Sequence, residues 1–283
     1  MKVLVTGAGG FTARHLIERL RQDPASEIYC ASLSFKDEPN WFGGDLTEKS
    51  TAHSLVKIIK PDYIYHLAGS FTNDYDADYL SNVVTTRNLL EAILIARRNC
   101  RILLVGSSAE YGLVKAEDNP VREDHPPNPV SVYGLTKLYQ TNLMRFYHTV
   151  HGLDVLMARP FNLFGRDISR QLFIGRVYQQ IEEYKKGKIT RIVLGSLQSK
   201  RDYIDIDEAV KHYETIMKRG QAGEVYNVGS GRSISLYNLL KQILEENGLG
   251  MDIVEERSLD RHDKLDVKDL FADLSKTRSL SMD

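Results

Sequence analysis

The sequence contains little cysteine and no long apolar run. Its two cysteines, Cys30 and Cys100, lie in apolar, strand-like segments of a 283-residue chain. So few cysteines exclude a disulfide framework, and we expect both to be buried thiols in a reducing compartment. No apolar stretch approaches the roughly 20 residues that a membrane-spanning helix requires. We therefore expect a cytoplasmic protein that makes no contact with a membrane.

The charges are balanced, and no long basic run is present. Lys and Arg number 37 against 38 for Asp and Glu, so the formal net charge is −1. This balance argues against nucleic acid or a membrane surface as a partner. We find neither an internal repeat nor a low-complexity segment, and we expect no metal site. A chain of this length allows one large α/β unit, or a nucleotide domain with a smaller appendage.

The first residues form the most informative segment. The apolar run Lys2–Val5 is typical of a strand buried on both faces, and three glycines follow between Thr6 and Gly10. From Phe11 onward the apolar spacing becomes helical. Such a glycine turn lets the backbone approach a pyrophosphate, whose charge the helix N-terminus stabilises. A tight strand-to-helix turn also favours glycine, but the position of this loop predicts a dinucleotide site. The candidate contacts are Gly7, Gly9, Gly10, Phe11 and Thr12.

The second predicted strand, Glu27–Leu33, should end beside the adenosine ribose. An NAD-specific site places a carboxylate there, which binds the ribose hydroxyls. This chain offers Ser32 and Ser34, and Lys36 and Arg14 can reach the same corner. Hydroxyls and cations suit a 2′-phosphate, so the sequence favours NADP(H), with NAD(H) as the alternative. Arg14 and Lys36 could equally be solvated surface charges.

Two further strands contribute to the predicted cofactor site. The third, within Trp41–Leu46, ends at Asp45, which could accept a hydrogen bond from the adenine amino group. Asp45 could instead cap a helix that begins at Leu46. The fourth, Pro61–Gly69, ends in small residues that would lie beneath the nicotinamide, whereas we expect His66 to pack and bond locally. The candidate contacts from these strands are Asp45, Leu46, Leu67, Ala68 and Gly69.

Candidate catalytic groups follow the fifth predicted strand. Arg101–Ser108 ends in Ser107 and Ser108, at the sheet edge where ligands bind in open α/β proteins. Tyr133 and Lys137 lie four residues apart in a predicted helix, so they share one helix face. This spacing is common by chance. Together with a strand-end serine and an N-terminal dinucleotide loop, however, it indicates a catalytic site.

These motifs resemble those of the extended short-chain dehydrogenase/reductases that act on nucleotide sugars. Thr6–Ala13 matches their Thr-Gly-x-x-Gly-x-x-Gly loop, with Ala13 in place of the last glycine. Ser107–Gly112 is similar to their catalytic serine/threonine segment, and Tyr133 with Lys137 to their catalytic pair. The resemblance covers most of the chain. Further matches are Asp45–Leu46, His66–Ala68, Asn82 and Asn88–Leu90.

The resemblance implies a role for each matching residue. Ser107, Tyr133 and Lys137 would be catalytic, with Tyr133 as the proton donor, and Lys137 would also hold the nicotinamide ribose. We expect the Lys137 ammonium to lower the pKa of the phenol from about 10 towards working pH. Ser107 would donate a hydrogen bond to the developing oxyanion. Implied further cofactor contacts are Asn82 and Arg159, and implied substrate contacts are Ser108, Asn162, Arg201 and Arg261.

Three later segments resemble one group of enzymes within this family. Ala158–Asn162, Arg201–Asp205 and Ala222–Gly231 are similar to segments of GDP-6-deoxy-4-keto-mannose reductases, which form GDP-rhamnose. This implies an NADP(H)-dependent reduction of a nucleotide-linked 4-keto-6-deoxy sugar. Dehydratases of the family place a carboxylate directly after their catalytic threonine, where this chain has Ser108–Ala109. Glu110 comes one residue later and, on a strand, would point to the opposite face.

Two alternatives to a reductase stay open. The first is a nucleotide-sugar epimerase that holds NAD tightly, since it would share the fold and the Tyr/Lys pair. The second is a non-catalytic nucleotide-sensing protein, a class that tends to lose the pair that Tyr133 and Lys137 form here.

The predicted fold is α/β: a Rossmann-type doubly wound parallel sheet with a smaller C-terminal α/β substrate domain. Residues 1–162 with 200–222 would form the nucleotide domain, and residues 163–199 with 223–283 the substrate domain. The family also implies a homodimer, in which the predicted helix Tyr79–Arg97 and the helix opening near Ser131 pack against their symmetry mates. Burial within one subunit would explain the apolar residues of these helices equally well. Those residues are Leu89, Ile93, Leu143 and Phe146.

Overall fold

The computed structural model describes residues 1–96, 99–165, 167–170, 172–257 and 267–281. Its strands are β1 (Lys2–Thr6), β2 (Glu27–Ser32), β3 (Trp41–Gly43), β4 (Tyr63–His66), β5 (Arg101–Val105), β6 (Val155–Pro160), β7 (Asn162–Phe164), β8 (Ile192–Leu194), β9 (Lys200–Arg201), β10 (Tyr203–Asp205), β11 (Val225–Val228), β12 (Ile234–Ser235), β13 (Val254–Glu256) and β14 (Asp269–Leu270). Its α-helices are α1 (Phe11–Leu20), α2 (Lys49–Ile59), α3 (Tyr75–Asp78), α4 (Thr85–Ile95), α5 (Val132–His151), α6 (Phe173–Lys185), α7 (Ile206–Arg219), α8 (Leu236–Glu246) and α9 (Ser275–Ser279).

One parallel sheet of seven strands organises the chain, in the order β11-β6-β5-β4-β1-β2-β3. Its strands are apolar on both sides because helices cover both faces. Val3 and Val5 join the core beneath α1 and α7, whereas Leu4 between them joins the core beneath α2, α4 and α5. The predicted Rossmann-type doubly wound sheet is thus confirmed.

The strand order reverses at β1. The chain builds β2 and β3 on one side of β1 and then crosses over to place β4 on the other side. Where the order reverses, the loops that follow neighbouring strands diverge and leave a crevice at the carboxyl edge of the sheet. The loops after β1 and β4 border that crevice.

A separate apolar core lies in the second part of the chain. Ile174 and Val177 of α6 pack there with Ile192 of β8 and with Leu240 and Leu244 of α8. The neighbouring strands β8 and β13 pair with each other in parallel. These elements belong to the segments that we assign to the substrate domain.

The predicted division at residue 223 differs from the structure at β11. This strand pairs with β6 in the large sheet, and all four of its residues are buried. Val225 packs in the core beneath α2, α4 and α5, whereas Tyr226 and Val228 pack in the core beneath α1 and α7. The edge of the large sheet thus covers both faces of β11. The other boundaries of the two domains stay a prediction.

The segment predicted as one helix, Tyr79–Arg97, is interrupted. α3 begins earlier, because the Asp74 side chain caps it by accepting the Ala77 N–H at 2.9 Å. A π-helical stretch, Tyr79–Val84, joins α3 to α4. The predicted end at Arg97 lies outside the described residues.

The segment after β3 also differs from the prediction. β3 ends at Gly43, before Asp45, and α2 begins at Lys49 instead of Leu46. The reason is local: an Asp45 carboxylate oxygen accepts the N–H of Thr47 at 2.8 Å and closes a turn. Asp45 therefore neither ends a strand nor caps the helix.

Both cysteines are buried free thiols, as predicted. Cys30 lies in the core on one face of the sheet, and Cys100 lies in the core on the other. None of the helices in the described ranges is both long enough and apolar enough to cross a membrane.

Candidate active site

A cavity of about 740 Å³ opens at the carboxyl edge of the sheet, at the strand reversal beside β1. The glycine loop forms one wall, and the loops after β4 and β5 form the floor together with the first turns of α5. The segment after β6 and the strands β9 and β10 close the far side. A cavity of this size accommodates a small ligand.

The glycine loop has the geometry that a dinucleotide pyrophosphate requires. Gly7 has φ +67°, and a Cβ there would lie 2.6 Å from the Ala68 backbone nitrogen. The Gly10 N–H closes the turn onto the Gly7 carbonyl at 2.9 Å. Gly10 then precedes α1, whose first turn no side chain of the described chain caps. These uncapped N–H groups and the helix dipole fit a bound phosphate.

Ser107 and Tyr133 meet across the cavity. Ser107 follows β5 and caps a short 3₁₀ turn, Ser108–Glu110, by accepting the Ala109 N–H at 3.1 Å. Its side chain also lies beside the Tyr133 phenol, close enough to lower the pKa of that group, and both residues line the cavity. Ser131 caps α5 by accepting the Gly134 N–H at 3.0 Å, so the helix starts where Tyr133 faces the cavity. The predicted catalytic serine and tyrosine are therefore brought together.

Lys137 lies one helical turn beyond Tyr133. Its ammonium is 5.9 Å from the centroid of the Tyr133 ring. It donates to the Val105 carbonyl at 2.9 Å and to the Gln140 side-chain oxygen at 3.2 Å. Lys137 is buried, so these two acceptors offset part of the free energy that it costs to bury its ammonium group.

The pKa of the Tyr133 phenol is raised, contrary to our expectation. Burial raises this pKa to about 12, the neighbouring Ser107 side chain opposes the shift, and the negative charges of Glu110 and Asp78 reinforce it. Burial also lowers the pKa of Lys137 to about 8, against the same two carboxylates. The expectation that Lys137 brings the phenol towards working pH is wrong for this structure, because desolvation is the largest cause of the shift and the Lys137 charge is not among its causes. Tyr133 is consequently a protonated phenol at neutral pH.

The cavity includes only some of the predicted cofactor residues. Those that line it are Gly7, Gly10, Phe11, Thr12, Leu67, Gly69 and Lys137. Those that lie outside its lining are Gly9, Arg14, Ser32, Asp45, Leu46, Ala68, Asn82 and Arg159.

Two of the residues predicted to bind a 2′-phosphate, Ser32 and Lys36, contact other side chains or backbone atoms of the protein. The Ser32 hydroxyl donates to the Ser34 carbonyl at 2.6 Å and accepts from the Trp41 indole at 3.2 Å. The Lys36 ammonium lies 4.3 Å from the centre of the Trp41 ring. Arg14 is exposed, and its side chain forms no hydrogen bond or ion pair within the described part of the chain. Arg14 is thus the cation best able to meet a phosphate there.

Asn82 and Asp78 brace the loop after β4 from below. The Asn82 amide donates to the Ser70 carbonyl at 2.9 Å and to the Thr136 hydroxyl at 3.0 Å. The Asp78 carboxylate accepts from the Ser70 hydroxyl at 2.7 Å and from the Asn73 N–H at 2.9 Å. Asn82, predicted as a cofactor contact, therefore connects this loop to α5 instead of lining the cavity.

Arg159 and Glu110 form a buried ion pair beneath Ser107. Their closest nitrogen and oxygen atoms are 2.8 Å apart, and the guanidinium lies 4.6 Å from the centre of the Tyr111 ring. The Glu110 carboxylate also accepts the Ser107 N–H at 2.9 Å and the Thr141 hydroxyl at 2.5 Å. The expected position of Glu110 on a strand, facing away, is wrong, because the chain turns into a 3₁₀ helix after Ser107.

Three of the predicted substrate residues line the cavity: Ser108, Asn162 and Arg201. The Asn162 amide donates to the Asp202 carbonyl at 2.9 Å, which fixes its orientation. The Arg201 guanidinium donates to the Lys200 carbonyl at 2.8 Å and also to the Val267 carbonyl. Arg261, the fourth, lies outside the described residues.

The sequence did not indicate several residues of the cavity wall. Phe71 packs edge-on against Tyr133, with 6.3 Å between the ring centroids, and Asn73 accepts the Tyr133 N–H at 3.5 Å. Phe173 and Tyr203 line the far side. Phe71 and Asn73 belong to an irregular loop without apolar periodicity. The polar run before α3 could have suggested that loop but not its contacts.

Comparisons with known proteins agree with this geometry. Residues 3–229 match the NAD dependent epimerase/dehydratase family. The GDP-6-deoxy-D-talose 4-dehydrogenase of Aggregatibacter actinomycetemcomitans is 29% identical over 280 residues, which cover 98% of this chain and 90% of that protein. The GDP-6-deoxy-D-mannose reductase of Pseudomonas aeruginosa is 28% identical over 261 residues, covering 90% of this chain and 83% of that protein.

Solved structures share the whole fold. The structure of RMD from Pseudomonas aeruginosa complexed with NADPH superimposes with a TM-score of 0.84 at 25% identity, covering 99% of this chain and 90% of that one. A UDP-glucose 4-epimerase from Thermotoga maritima superimposes with a TM-score of 0.86 at 22% identity, covering 99% and 93%, which shows the fold alone. The chain thus belongs to the NAD dependent epimerase/dehydratase family, the extended short-chain dehydrogenase/reductases that its motifs resemble, and is an NAD(P)-dependent oxidoreductase.

Proposed function

We propose that the protein uses NADPH to reduce a nucleotide-linked 4-keto-6-deoxy sugar, and that it converts GDP-4-keto-6-deoxy-mannose to GDP-rhamnose. The placement of Ser107 beside Tyr133 in the lining of the cavity, with Lys137 one helical turn away, carries this proposal. Ser108 and Ala109 occupy the positions where a dehydratase needs its carboxylate. Glu110, the nearest acid, is held beneath the site by Arg159.

The side chains of the cavity can complete a ketone reduction. The bound dinucleotide supplies the hydride that the carbonyl carbon accepts. Tyr133 gives its phenol proton to the carbonyl oxygen, so the ketone becomes an alcohol and Tyr133 becomes a phenolate. Ser107 donates a hydrogen bond to that oxygen while negative charge develops on it. The Lys137 ammonium stabilises the phenolate until a proton from solvent restores the phenol.

The names of two relatives support a GDP-linked 6-deoxy sugar and redox chemistry. One relative is a GDP-6-deoxy-D-mannose reductase, and the other is a GDP-6-deoxy-D-talose 4-dehydrogenase. The two sugars differ in configuration at C4, so the relatives agree on the nucleotide and on the chemistry but not on the face of the ketone. We assign the mannose configuration because the later sequence segments resemble those of the reductases.

An assay with GDP-4-keto-6-deoxy-mannose tests the proposal directly. We expect loss of NADPH absorbance and formation of GDP-rhamnose, identified by chromatography against GDP-6-deoxy-talose. Thermal shifts with GDP, UDP, CDP and dTDP test the nucleotide, because a ligand that binds the native state raises its apparent stability. A larger shift with UDP or dTDP than with GDP would contradict the GDP assignment.

An epimerase is the second candidate, since a UDP-glucose 4-epimerase of Mycolicibacterium smegmatis is 28% identical over 254 residues. An epimerase reoxidises its own intermediate and keeps NAD bound. Stoichiometric NAD that survives gel filtration, together with interconversion of UDP-glucose and UDP-galactose, would favour it. Cofactor-free protein that consumes added NADPH would favour the reductase.

We also propose a homodimer in the cytoplasm, although the predicted contact residues need correction. Leu89 and Ile93 are fully buried against the sheet of their own subunit, and Leu143 is partly buried there. Of the four residues we named, Phe146 is the one that is exposed. Exposed apolar side chains nevertheless continue across the same helices. They are Tyr75, Leu80, Ile95, Tyr139, Phe146 and Val150.

The exposed face supports a second copy of the chain as the partner, because soluble monomers seldom expose a connected apolar surface. Light scattering should give about twice the 32.2 kDa of the single chain. Phe146→Glu should shift the mass towards that of the monomer. A wild-type mass equal to one chain would contradict the dimer.

A further inference from the structure

A chain of buried polar side chains extends from Lys137 into the core, away from the cavity. The Lys137 ammonium lies 3.2 Å from the Gln140 side-chain oxygen, and the Gln140 nitrogen lies 2.8 Å from the Thr86 hydroxyl. Thr86 lies 3.0 Å from Nε2 of His66, and Nδ1 of His66 lies 2.8 Å from the Thr6 hydroxyl. We call these five residues the Lys137 network. Apart from Lys137, none of them is exposed at all.

The charge of Lys137 determines the orientation of its neighbour. An ammonium can only donate hydrogen bonds, so the Gln140 oxygen must face it. The Gln140 NH₂ group therefore points towards Thr86 and donates to its hydroxyl. The reverse orientation would place two donors against each other and leave a buried charge with one acceptor fewer.

The two hydroxyl groups next to His66, those of Thr85 and Thr86, each donate their hydrogen to a backbone carbonyl. Thr86 donates to the Asn82 carbonyl at 2.7 Å, and Thr85 donates to the Ser81 carbonyl at 2.6 Å. Both hydroxyl oxygens lie near Nε2 of His66, at 3.0 Å and 3.5 Å. Each can therefore only accept from His66, which makes Nε2 the protonated nitrogen of the ring.

The remaining ring nitrogen then has one partner. Nδ1 of His66 carries no proton and accepts the hydrogen bond of the Thr6 hydroxyl. Thr6 ends β1 and immediately precedes Gly7, the first glycine of the pyrophosphate loop. The Lys137 network thus connects the catalytic lysine to the start of the cofactor loop. Its hydrogen bonds run inward from Lys137 and from Thr6 and converge on the Thr86 hydroxyl.

We propose that His66, Thr86 and Gln140 are positioning residues, which orient the Lys137 ammonium towards the cavity and couple it to the cofactor loop through Thr6. The proposal rests on the proposed function only in so far as Lys137 acts in catalysis. Burial and the Lys137 charge hold the pKa of His66 down at about 3. His66 consequently stays neutral in the working pH range. The other charged or titratable groups that act on Lys137 are Glu110 and Asp78, and Tyr133 lies beside it.

The histidine tautomer can be observed without any substrate. In ¹⁵N-histidine-labelled protein, the His66 signals are identified as those missing from His66→Gln. We expect a neutral ring protonated at Nε2, and the same signals when the pH is lowered to the limit of folding. A ring protonated at Nδ1, or one that becomes cationic near the ordinary histidine pKa, would overturn the proposal.

A matched pair of variants tests the effect on Lys137. Thr86→Val removes the hydroxyl that holds Gln140 and His66 while keeping the side-chain shape, whereas Thr86→Ser retains the hydroxyl. We expect Thr86→Val to lower kcat about tenfold with little change in KM for NADPH, and Thr86→Ser to stay within about twofold of wild type. Titration of the ¹³Cε signal of Lys137 should move to lower pH in Thr86→Val only, because the ammonium loses support.

The outcomes separate this proposal from the proposed function. A valine variant that is less stable but keeps the wild-type kcat and the wild-type Lys137 titration would show a merely structural role and overturn the proposal. If the wild-type protein reduces no GDP-4-keto-6-deoxy sugar, the function is wrong. In that case, the His66 tautomer and the Lys137 titration of the free protein still decide whether the Lys137 network orients this lysine.

Discussion

The Glu110 carboxylate lies 2.8 Å from the Arg159 guanidinium, and both side chains are almost completely buried beneath Ser107. Breaking a buried ion pair by removing one partner leaves an uncompensated charge, which costs about 3–5 kcal/mol. We expect Glu110→Gln to lower the free energy of unfolding in urea by an amount in this range. The double variant Glu110→Gln/Arg159→Met should recover part of the loss.

An exposed ion pair provides the control for this prediction. Arg101 and Asp154 are 3.0 Å apart, but Asp154 is half exposed. Solvent screening limits such pairs to about 1 kcal/mol or less, so Asp154→Asn should change the unfolding free energy little. Equal losses in Glu110→Gln and Asp154→Asn would show that burial does not govern the Glu110 pair.

Tyr133→Phe should nearly abolish turnover while NADPH still binds. The variant keeps the ring that packs against Phe71 but loses the proton donor, and a general acid contributes roughly 10²–10⁴-fold to a rate. We expect kcat to fall at least about 100-fold, with an NADPH dissociation constant near that of wild type by fluorescence titration. Tyr139→Phe, on the same helix but outside the cavity lining, is the control. Near-normal turnover of Tyr133→Phe would remove this phenol from the mechanism.

The choice of cofactor should depend on Arg14. Its exposed guanidinium can form a charged hydrogen bond to a 2′-phosphate, and such a bond contributes roughly 1.5–3 kcal/mol. Arg14→Ala should therefore weaken NADPH binding by about one to two decades and leave NADH binding nearly unchanged. Arg21→Ala, at the other end of α1, should alter neither. Equal loss of both cofactors in Arg14→Ala, or equal use of both by the wild type, would show that this corner does not bind the phosphate.

The rate should fall at alkaline pH because Lys137 loses its proton. Burial lowers the pKa of Lys137 to about 8, whereas that of Tyr133 is raised to about 12. As the pH rises through about 8, the ammonium that stabilises the Tyr133 phenolate is lost, while the phenol itself stays protonated. We expect kcat/KM for the sugar to decline above about pH 8, with a flat region below it.

Substitution of Lys137 tests which group causes the decline of kcat/KM at alkaline pH, the alkaline limb of the pH profile. Lys137→Met should lower kcat/KM at all pH values and abolish this limb, because the variant has no ammonium to lose. The same variant should also show less gain in stability at high pH. In the wild type, the folded protein loses the Lys137 proton before the unfolded chain does, so the free energy of unfolding rises between about pH 8 and 10.5. A limb that persists unchanged in Lys137→Met would assign it to another group.

Gly7 and Gly9 should respond differently to alanine. Gly7 has φ +67° and little space beside the Ala68 backbone, whereas a Cβ at Gly9 would meet nothing within 4 Å. An alanine at a positive φ costs roughly 1–2 kcal/mol before any clash. Gly7→Ala should therefore lower the melting temperature and abolish dinucleotide binding, while Gly9→Ala should leave the melting temperature unchanged. Normal NADPH affinity in Gly7→Ala would contradict the assigned pyrophosphate loop.

The sequence by itself determined those features of the structure that depend on only a few neighbouring residues. Lys2–Val5 forms a strand with no polar face, three glycines follow it, and a helix begins at Phe11. No distant residue is needed for that order, because a buried strand, a tight turn and an amphipathic helix each have their own spacing. The Tyr133 and Lys137 pair is similar, since residues four apart share a face of any helix. The family and its cofactor loop are therefore predictable from these short segments of sequence.

Tertiary structure decided what depends on burial and on distant partners. Glu110 faces Arg159 because β5 and β6 are neighbours in the sheet, a pairing that the spacing of 49 residues does not encode. The pKa of Tyr133 moved opposite to our expectation because desolvation depends on the side chains that pack around the phenol in the folded protein, which the neighbouring residues in sequence do not reveal. His66 reaches Lys137 only because α4 and α5 pack on one face of the sheet. The sequence determines which chemical groups are present and how far apart they lie along the chain. Packing determines the protonation of these groups and the partners that they contact.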